Sequence, residues 1–135
     1  MEYFVPAEGE AQMLRNMVGT EEISLHLFIN DVTPTRATTR KAFKEPAGAG
    51  YRSVLLEPGR WQVVKGGNSL PAVAQYPTIT FTFQAQVGRI FGYFFVQRGA
   101  VLWAVRLPED APYYAKWNGD KLLIDPEMRL RRVVA

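Results

Sequence analysis

One apolar stretch dominates the sequence. Gly88 to Leu107 reads GRIFGYFFVQRGAVLWAVRL, with charged side chains only at Arg89, Arg98 and Arg106. These charges break it well short of the ~18 uninterrupted apolar residues that a membrane span needs. Arg98 and Gly99 lie near its middle and fit a two-residue turn, so the stretch predicts two antiparallel strands joined as a hairpin.

The turn fixes a register for this hairpin. With Arg98 and Gly99 as the loop, Phe94 lies opposite Trp103 and Gly92 lies opposite Val105. One side then belongs to the core, with Ile90, Gly92, Phe94, Val96, Val101, Trp103, Val105 and Leu107. The other side carries Phe91, Tyr93, Phe95, Leu102, Ala104 and Arg106. Such an aromatic side with polar groups is typical of a surface covered by a helix or by another protein.

A helix is predicted near the N-terminus. Apolar residues recur at helical spacing over residues 7–18, with Pro6 at the entrance and Gly19 as the expected stop. A helix this short needs a packing surface to be stable. Its stripe of Leu14, Met17 and Val18 is one candidate cover for the second side of the hairpin, and a second subunit is the other.

Other segments indicate further strands. EEISLHLFIN alternates and predicts a strand with Ile23, Leu25 and Leu27 buried and His26 on the outward face. TITFTFQA, from Thr78, alternates as clearly. Segments 53–56 and 60–65 predict a hairpin around Pro58 and Gly59, and segments 121–125 and 128–133 predict two terminal strands.

These elements lead to one fold class. Residues 31–50 form a long basic loop with at most one helical turn, near Arg40 to Phe43. The whole chain, 1–135, is predicted to be a single all-β domain. We expect an antiparallel β-sandwich or jelly-roll of about eight strands with one short N-terminal helix, because the pattern lacks the alternation of strands and helices of a parallel sheet.

The composition argues against a catalytic or metal site. The chain has no cysteine and one histidine, His26, so we expect no disulfide, no thiolate zinc site, no multi-histidine metal site and no His-based triad. Acidic pairs such as Glu109 and Asp110 adjoin in sequence without a predicted shared pocket. No catalytic, cofactor-binding or metal-binding residue is assigned.

The charge distribution suggests a protein partner more than a nucleic acid. The net charge is +3, and basic residues cluster at 36–44 and at Arg129, Arg131 and Arg132. These clusters fit an acidic protein surface, a phosphate or simply a solvated face. Nucleic-acid binding is not expected, because the net charge is small and no known motif is present. The opening MEYFVPAEGE lacks the basic and apolar regions of a signal peptide, so neither secretion nor membrane insertion is expected.

Aromatic residues in a late loop offer another kind of site. Tyr113, Tyr114 and Trp117 precede a turn at Asn118, Gly119 and Asp120 and could stack on sugar rings or unstacked bases. Trp61 and Trp103 lie in apolar strand patterns and are expected to pack in or beside the core.

The order of short motifs along nearly the whole chain resembles a family of small virion structural proteins of tailed bacteriophages. The motifs are VPAEGEAQMLRNMVG, LHLFINDVTPT, GY at 50–51, TFTF at 80–83, GYFF at 92–95, VLWAVR at 101–106 and NGDKLLIDPEMRL. The resemblance implies a β-sandwich without enzymatic activity that is made in the host cytoplasm and built into the virion. It implies a capsid decoration or cement protein on the shell of major capsid protein.

For such a role, the aromatic side of the hairpin, the basic loop and the late aromatic loop offer candidate contact residues. A dimer or trimer is expected, with Phe91, Tyr93, Phe95 and Arg106 at the self-association interface. The candidate contacts to the capsid are Arg36, Arg40, Lys41, Tyr113, Tyr114 and Trp117. The alternatives left open are a tail, neck or fibre-attachment connector, other virion proteins as partners, and a carbohydrate-binding β-sandwich.

Overall fold

A computed structural model describes residues 1–67 and 69–130 and shows a mostly β chain with one short α-helix. The helix is α1 (Ala7–Thr20), and the strands are β1 (Ile23–Phe28), β2 (Val54–Leu56), β3 (Gln62–Val64), β4 (Val73–Gln75), β5 (Ile79–Thr82), β6 (Gly88–Ile90), β7 (Gly92–Gln97), β8 (Ala100–Arg106), β9 (Tyr113–Ala115), β10 (Lys121–Ile124) and β11 (Glu127–Arg129). The sheets have the orders β2-β1-β7-β8, β10-β5, β11-β4-β3 and β6-β9. The β-rich class is confirmed, with more and shorter strands than expected.

The chain folds into two compact units. One comprises Met1–Glu22, Leu56–Ile79 and the described residues from Asp125 onward; the other comprises Ile23–Leu55 and Thr80–Ile124. Each unit is therefore built from separate stretches of sequence. That the chain forms a single domain stays a prediction.

The helix belongs to the first unit. It runs past the expected stop, through Gly19, and its buried stripe is Ala11, Leu14 and Val18. Its main packing partners are β4, β3 and the 3₁₀ turn Pro58–Arg60. The helix is thus confirmed, and its stripe packs mainly on elements of its own unit rather than on the predicted hairpin.

The predicted hairpin of segments 53–56 and 60–65 is wrong. β2 joins β1 in the four-stranded sheet, whereas β3 pairs with β4, Val64 lying opposite Val73. The reason is local, because Pro58–Arg60 forms a 3₁₀ turn in place of a reversing two-residue loop. The two strands consequently enter different sheets.

The hairpin β7–β8 is present with the predicted turn. Arg98 and Gly99 have φ values of 51° and 78°, as a two-residue turn with both central residues left-handed requires. Val96 lies opposite Val101 as predicted, but the register shifts between Phe95 and Val96, which leaves Leu102 as an extra residue in β8. This is a β-bulge.

The bulge makes the rest of the predicted register wrong. Phe94 lies opposite Ala104, not Trp103, and Gly92 lies opposite Arg106, not Val105. A one-residue slip exchanges the faces of a strand. Trp103 and Val105 therefore share the face of Tyr93 and Phe95, and Ala104 joins the core cluster of Phe28, Phe94 and Val96.

Strand β1 buries both faces, where the alternation predicts one. It pairs with β7, with His26 opposite Phe94 and Phe28 opposite Gly92, and both His26 and Phe28 are buried. The predicted outward position of His26 is wrong because the 31–50 loop folds back over this face. The loop's Phe43 stacks on Phe94 with ring centroids 4.4 Å apart.

Strands β5, β10 and β11 follow the sequence pattern, but β4, β6 and β9 were not predicted as separate strands. The expectation that Tyr113 and Tyr114 lie in a loop is wrong, because both belong to β9, which pairs with β6. β5 coincides with the alternating TITFTFQA segment and pairs with β10, which matches the first predicted terminal strand. β11 covers the start of the second predicted terminal strand, and its predicted end, at 131–133, lies outside the described residues.

Candidate functional site

Four side chains form a hydrogen-bonded network, the polar cluster, between β1 and the 31–50 loop: Ser24, His26, Glu45 and Tyr51. His26 is 5% exposed, with Nδ1 2.6 Å from Glu45 Oε1 and Nε2 2.6 Å from Ser24 Oγ. The Tyr51 hydroxyl donates to the same Glu45 oxygen at 2.6 Å and accepts from the Leu27 amide at 3.0 Å. Both ring nitrogens of the buried imidazole are therefore partnered.

Sequence placed two of these residues on one face of a strand. Ser24 and His26 are two apart in β1 and so point the same way. The tertiary fold adds Glu45, because β1 and the loop are also tied by the Ile29 amide, which donates to the Lys44 carbonyl at 2.8 Å. Nothing in the sequence around Glu45 indicated this partner.

The network shifts the ionisation of its acids. Burial acts to raise the pKa of Glu45, but the hydrogen bonds from Tyr51 and His26 outweigh it and hold that pKa below the usual value. Burial, and then the hydrogen bond to Glu45, raise the pKa of the Tyr51 phenol. A carboxylate between two donors is the electrostatic centre of the cluster.

The connectivity from Ser24 through His26 to Glu45 is that of a Ser-His-acid triad. The expectation that a single histidine excludes such a triad is wrong, since a triad uses only one. Here, however, the imidazole is buried and stacks on Phe94 at 5.0 Å, and Ser24 Oγ lies 3.4 Å from the Val96 carbonyl. These contacts suit an anchor for the loop.

The 31–50 loop is anchored at several points but presents its basic residues to solvent. Asn30 donates to the Ala42 carbonyl at 2.7 Å and accepts from the Lys44 amide at 2.8 Å. The predicted helical turn is present as a 3₁₀ turn, Arg40–Ala42. The candidate capsid contacts on this loop, Arg36, Arg40 and Lys41, are all exposed.

Two guanidinium groups lie close to the ring of Phe91. The Arg89 group is 4.4 Å and the Arg106 group 5.4 Å from its ring centroid. The Arg106 guanidinium also pairs with Glu109 and with Asp31, the latter at 2.7 Å. These two carboxylates, Glu109 first, raise the pKa of Arg106 and keep it charged. Arg106 therefore contacts Phe91 within the chain.

The four predicted self-association residues do not form one exposed surface. Phe95 is 0% exposed, so it offers nothing to a second copy, and Phe91, Tyr93 and Arg106 are half-buried. The prediction of one shared surface fails for two reasons, and the first is that other parts of the chain cover Phe95. The second is that the bulge turns Arg106 to the face of Phe94, opposite to that of Tyr93 and Phe95.

The aromatic residues near 113–120 differ sharply in exposure. Trp117 is 72% exposed and Tyr114 is 45% exposed, with the Lys116 ammonium 5.6 Å from the Tyr114 ring centroid. Tyr113 is half-buried near Phe83, and burial, followed by the nearby Asp120 charge, raises its pKa. Trp117 is therefore the most exposed of the predicted aromatic contacts.

The backbone beneath Trp117 is tightly held, and residues 116–120 are called here the Trp117 turn. The Asp120 carboxylate accepts from the amides of Lys116 and Trp117, at 2.8 and 2.9 Å. Gly119 has a φ of 95°, and its amide donates to the Phe83 carbonyl at 2.7 Å. The predicted turn at 118–120 is confirmed, and it displays a large aromatic side chain on a fixed backbone.

Two further findings concern the described residues, 1–67 and 69–130. No helix among them is both long and apolar enough to cross a membrane. No group of three or more His, Cys, Asp or Glu side chains there is placed to hold a metal ion.

Comparison of the chain with protein-family models, curated proteins and solved structures finds no match.

Proposed function

We propose that this chain is a non-enzymatic structural protein of a tailed-bacteriophage virion, a capsid decoration or cement protein that binds the shell of major capsid protein. The motif order over nearly the whole chain supports this proposal, and so does the β-rich fold with short antiparallel sheets. In its finer architecture we propose that the fold is a β-sandwich or jelly-roll.

The Trp117 turn carries the proposal. A protein that cements a shell needs contact residues that are exposed before binding and lose little freedom on binding. Trp117 meets both requirements, because its side chain is exposed while its backbone is held by Asp120 and Phe83. Tryptophan is also among the residues that contribute most binding energy in protein interfaces.

The basic residues of the 31–50 loop supply a second, electrostatic contribution. Arg36, Arg40 and Lys41 are exposed on a loop that is anchored to β1. Such charges would favour encounter with an acidic shell surface and would act more on association rate than on affinity. Many bound copies would then stabilise the assembled shell by mass action.

The polar cluster fits a non-enzymatic protein. His26 and Glu45 hold the loop in place, and the imidazole is stacked and buried. A fluorophosphonate probe tests this reading, because an activated serine reacts with it covalently. We expect no labelling; labelling of the wild type that is lost in Ser24→Ala would make the chain a serine hydrolase.

The direct test is binding to empty shells of the phage that carries this protein. Wild type, Trp117→Ala and Leu123→Ala are sedimented with the shells. Leu123 is the matched control, an apolar side chain on β10 that is 62% exposed. We expect Trp117→Ala to weaken binding by roughly 30-fold, as for a central interface residue, and Leu123→Ala to bind as wild type.

Other outcomes would redirect the proposal. Equal binding of wild type and Trp117→Ala would remove the Trp117 turn from the interface. Binding to tail or neck assemblies but not to shells would indicate a connector. An exposed tryptophan also suits sugar stacking, so saturable binding on a glycan array that is lost in Trp117→Ala would indicate a carbohydrate-binding module.

A further inference from the structure

Strand β8 is a long sheet edge. It lies at the end of the order β2-β1-β7-β8 and, within the described part of the chain, β7 is its hydrogen-bonded neighbour. Its seven residues, Ala100–Arg106, give an edge of roughly 24 Å at ~3.4 Å per residue. One row of backbone groups on such an edge faces away from the sheet.

The composition of this edge is unusual for a strand that stays alone. Proteins commonly protect edges with charges, proline or very short strands. The segment AVLWAVR has no proline and places its single charge, Arg106, at one end, so its main protective device is the bulge at Leu102. Residues 101–106 are all half-buried, which leaves apolar surface that a neighbouring strand would cover.

We propose that β8 pairs antiparallel with β8 of a second copy about a two-fold axis near Trp103, so that the two four-stranded sheets become continuous. In this register Val101 lies opposite the second copy's Val105, and Leu102 lies opposite its Ala104. Apolar and β-branched cross-strand pairs of this kind stabilise sheets.

The charges favour the antiparallel arrangement. Antiparallel pairing places Arg106 opposite Ala100 and keeps the two Arg106 side chains roughly 20 Å apart, six residues at ~3.4 Å each. Parallel pairing would set them side by side. Antiparallel pairing also brings the Arg98 turn of one copy toward the exposed Asp110 of the other, which places opposite charges near each other at both ends of the interface.

The inference deepens the proposed function and rests on it only for the expectation that copies associate. It moves self-association from the Phe91, Tyr93 and Phe95 side of the hairpin, where Phe95 is buried, to the edge of β8. A two-fold pairing also selects a dimer over a trimer.

The test uses the purified full chain and no shells, so its failure is distinct from a failure of capsid binding. Sedimentation equilibrium is run on wild type, Val105→Lys and Val64→Lys. The control Val64 is an exposed valine on β3, which is an edge strand of another sheet. We expect the wild type to be a dimer. Val105→Lys should raise the dissociation constant of the dimer more than ~10-fold, because pairing of the two strands would desolvate the lysine ammonium. Val64→Lys should leave the dissociation constant unchanged.

A second measurement decides the case if Val105→Lys does not fold. The chain has no cysteine, so single cysteines can be introduced cleanly. Trp103→Cys lies next to the two-fold axis and should form an intermolecular disulfide readily, because directly opposed residues on paired strands are within disulfide reach. Leu123→Cys on β10 should not.

The proposal is overturned by any of four results. These are a monomeric or trimeric wild type, an unchanged dimer in a folded Val105→Lys, equal weakening by Val64→Lys, and a dimer in which Trp103→Cys cross-links no faster than Leu123→Cys.

Discussion

Removing the charge at Glu45 should loosen the 31–50 loop and destabilise the chain. Its carboxylate accepts hydrogen bonds from His26 and Tyr51, each at 2.6 Å. Hydrogen bonds to a charged acceptor contribute about 1.5–3 kcal/mol and neutral ones about 0.5–1.5. The loss on neutralising the acceptor is the difference between these two ranges, counted for two hydrogen bonds. Because the Glu45 side chain is 30% exposed, solvent weakens both bonds, and we expect a loss in the lower part of that range. Glu45→Gln should lower the free energy of unfolding by about 1–2 kcal/mol.

Glu45→Ala should be more severe. It leaves the His26 Nδ1–H and the Tyr51 hydroxyl without their acceptor, at about 1–3 kcal/mol for each group, or about 2–6 kcal/mol together. Urea unfolding at pH 7, followed by circular dichroism, measures both variants. Glu8→Gln is the matched control, since Glu8 is an exposed acid 4.0 Å from Lys65, and it should stay within about 0.5 kcal/mol of wild type.

The same substitution should change the pH dependence of stability. The folded-state pKa of Glu45 lies below its usual 4.5, so its contribution is complete above the unfolded-state pKa and is lost as the pH falls through the folded-state value. Glu45→Gln should therefore flatten the loss of stability below about pH 4.5 relative to Glu8→Gln. Limited trypsin digestion gives an independent readout, with faster cleavage at Arg36, Arg40 and Lys41 in Glu45→Ala. Wild-type urea midpoints and cleavage rates in both Glu45 variants would refute the anchoring role.

Three other substitutions test the packing and the Trp117 turn. Phe94→Ala should lower the free energy of unfolding by about 3–5 kcal/mol, since it empties a buried position stacked on His26; a loss below about 1 kcal/mol in urea melts would contradict this. Gly92→Ala should lower the melting temperature strongly, because a Cβ there meets the Val105 carbonyl and the Phe28 ring; an unchanged thermal melt would show that the strands can separate. Asp120→Ala removes the acceptor of two backbone amides and should weaken shell binding at nearly wild-type stability; unaltered binding would mean that the fixed backbone is not needed.

The local pattern predicted much of the fold. Alternation identified β1 and β5, and the apolar stretch with its turn at Arg98 and Gly99 identified β7, β8 and the hairpin between them, because these features depend on neighbouring residues alone. Helical spacing likewise identified α1. The pattern did not predict the register beyond Leu102, because whether a bulge forms depends on how side chains pack on both faces of the sheet.

The candidate sites were less predictable for the same physical reason. Trp117 was identified because the turn at 118–120 has a strong local signature. The polar cluster was missed because Glu45 lies 19 residues from His26 in sequence, and the loop's return over β1 reflects long-range packing of Phe43 on Phe94. The sequence identified the basic residues of that loop, but it did not predict that the loop is anchored to β1.

Imaging of the native phage particle tests the proposed function most directly. A cryo-EM reconstruction of the head should show this chain repeated over the whole shell, with Trp117 at the contact with major capsid protein. Density confined to a few copies at the tail or neck, or a shell that lacks the chain altogether, would contradict its role as a capsid decoration protein.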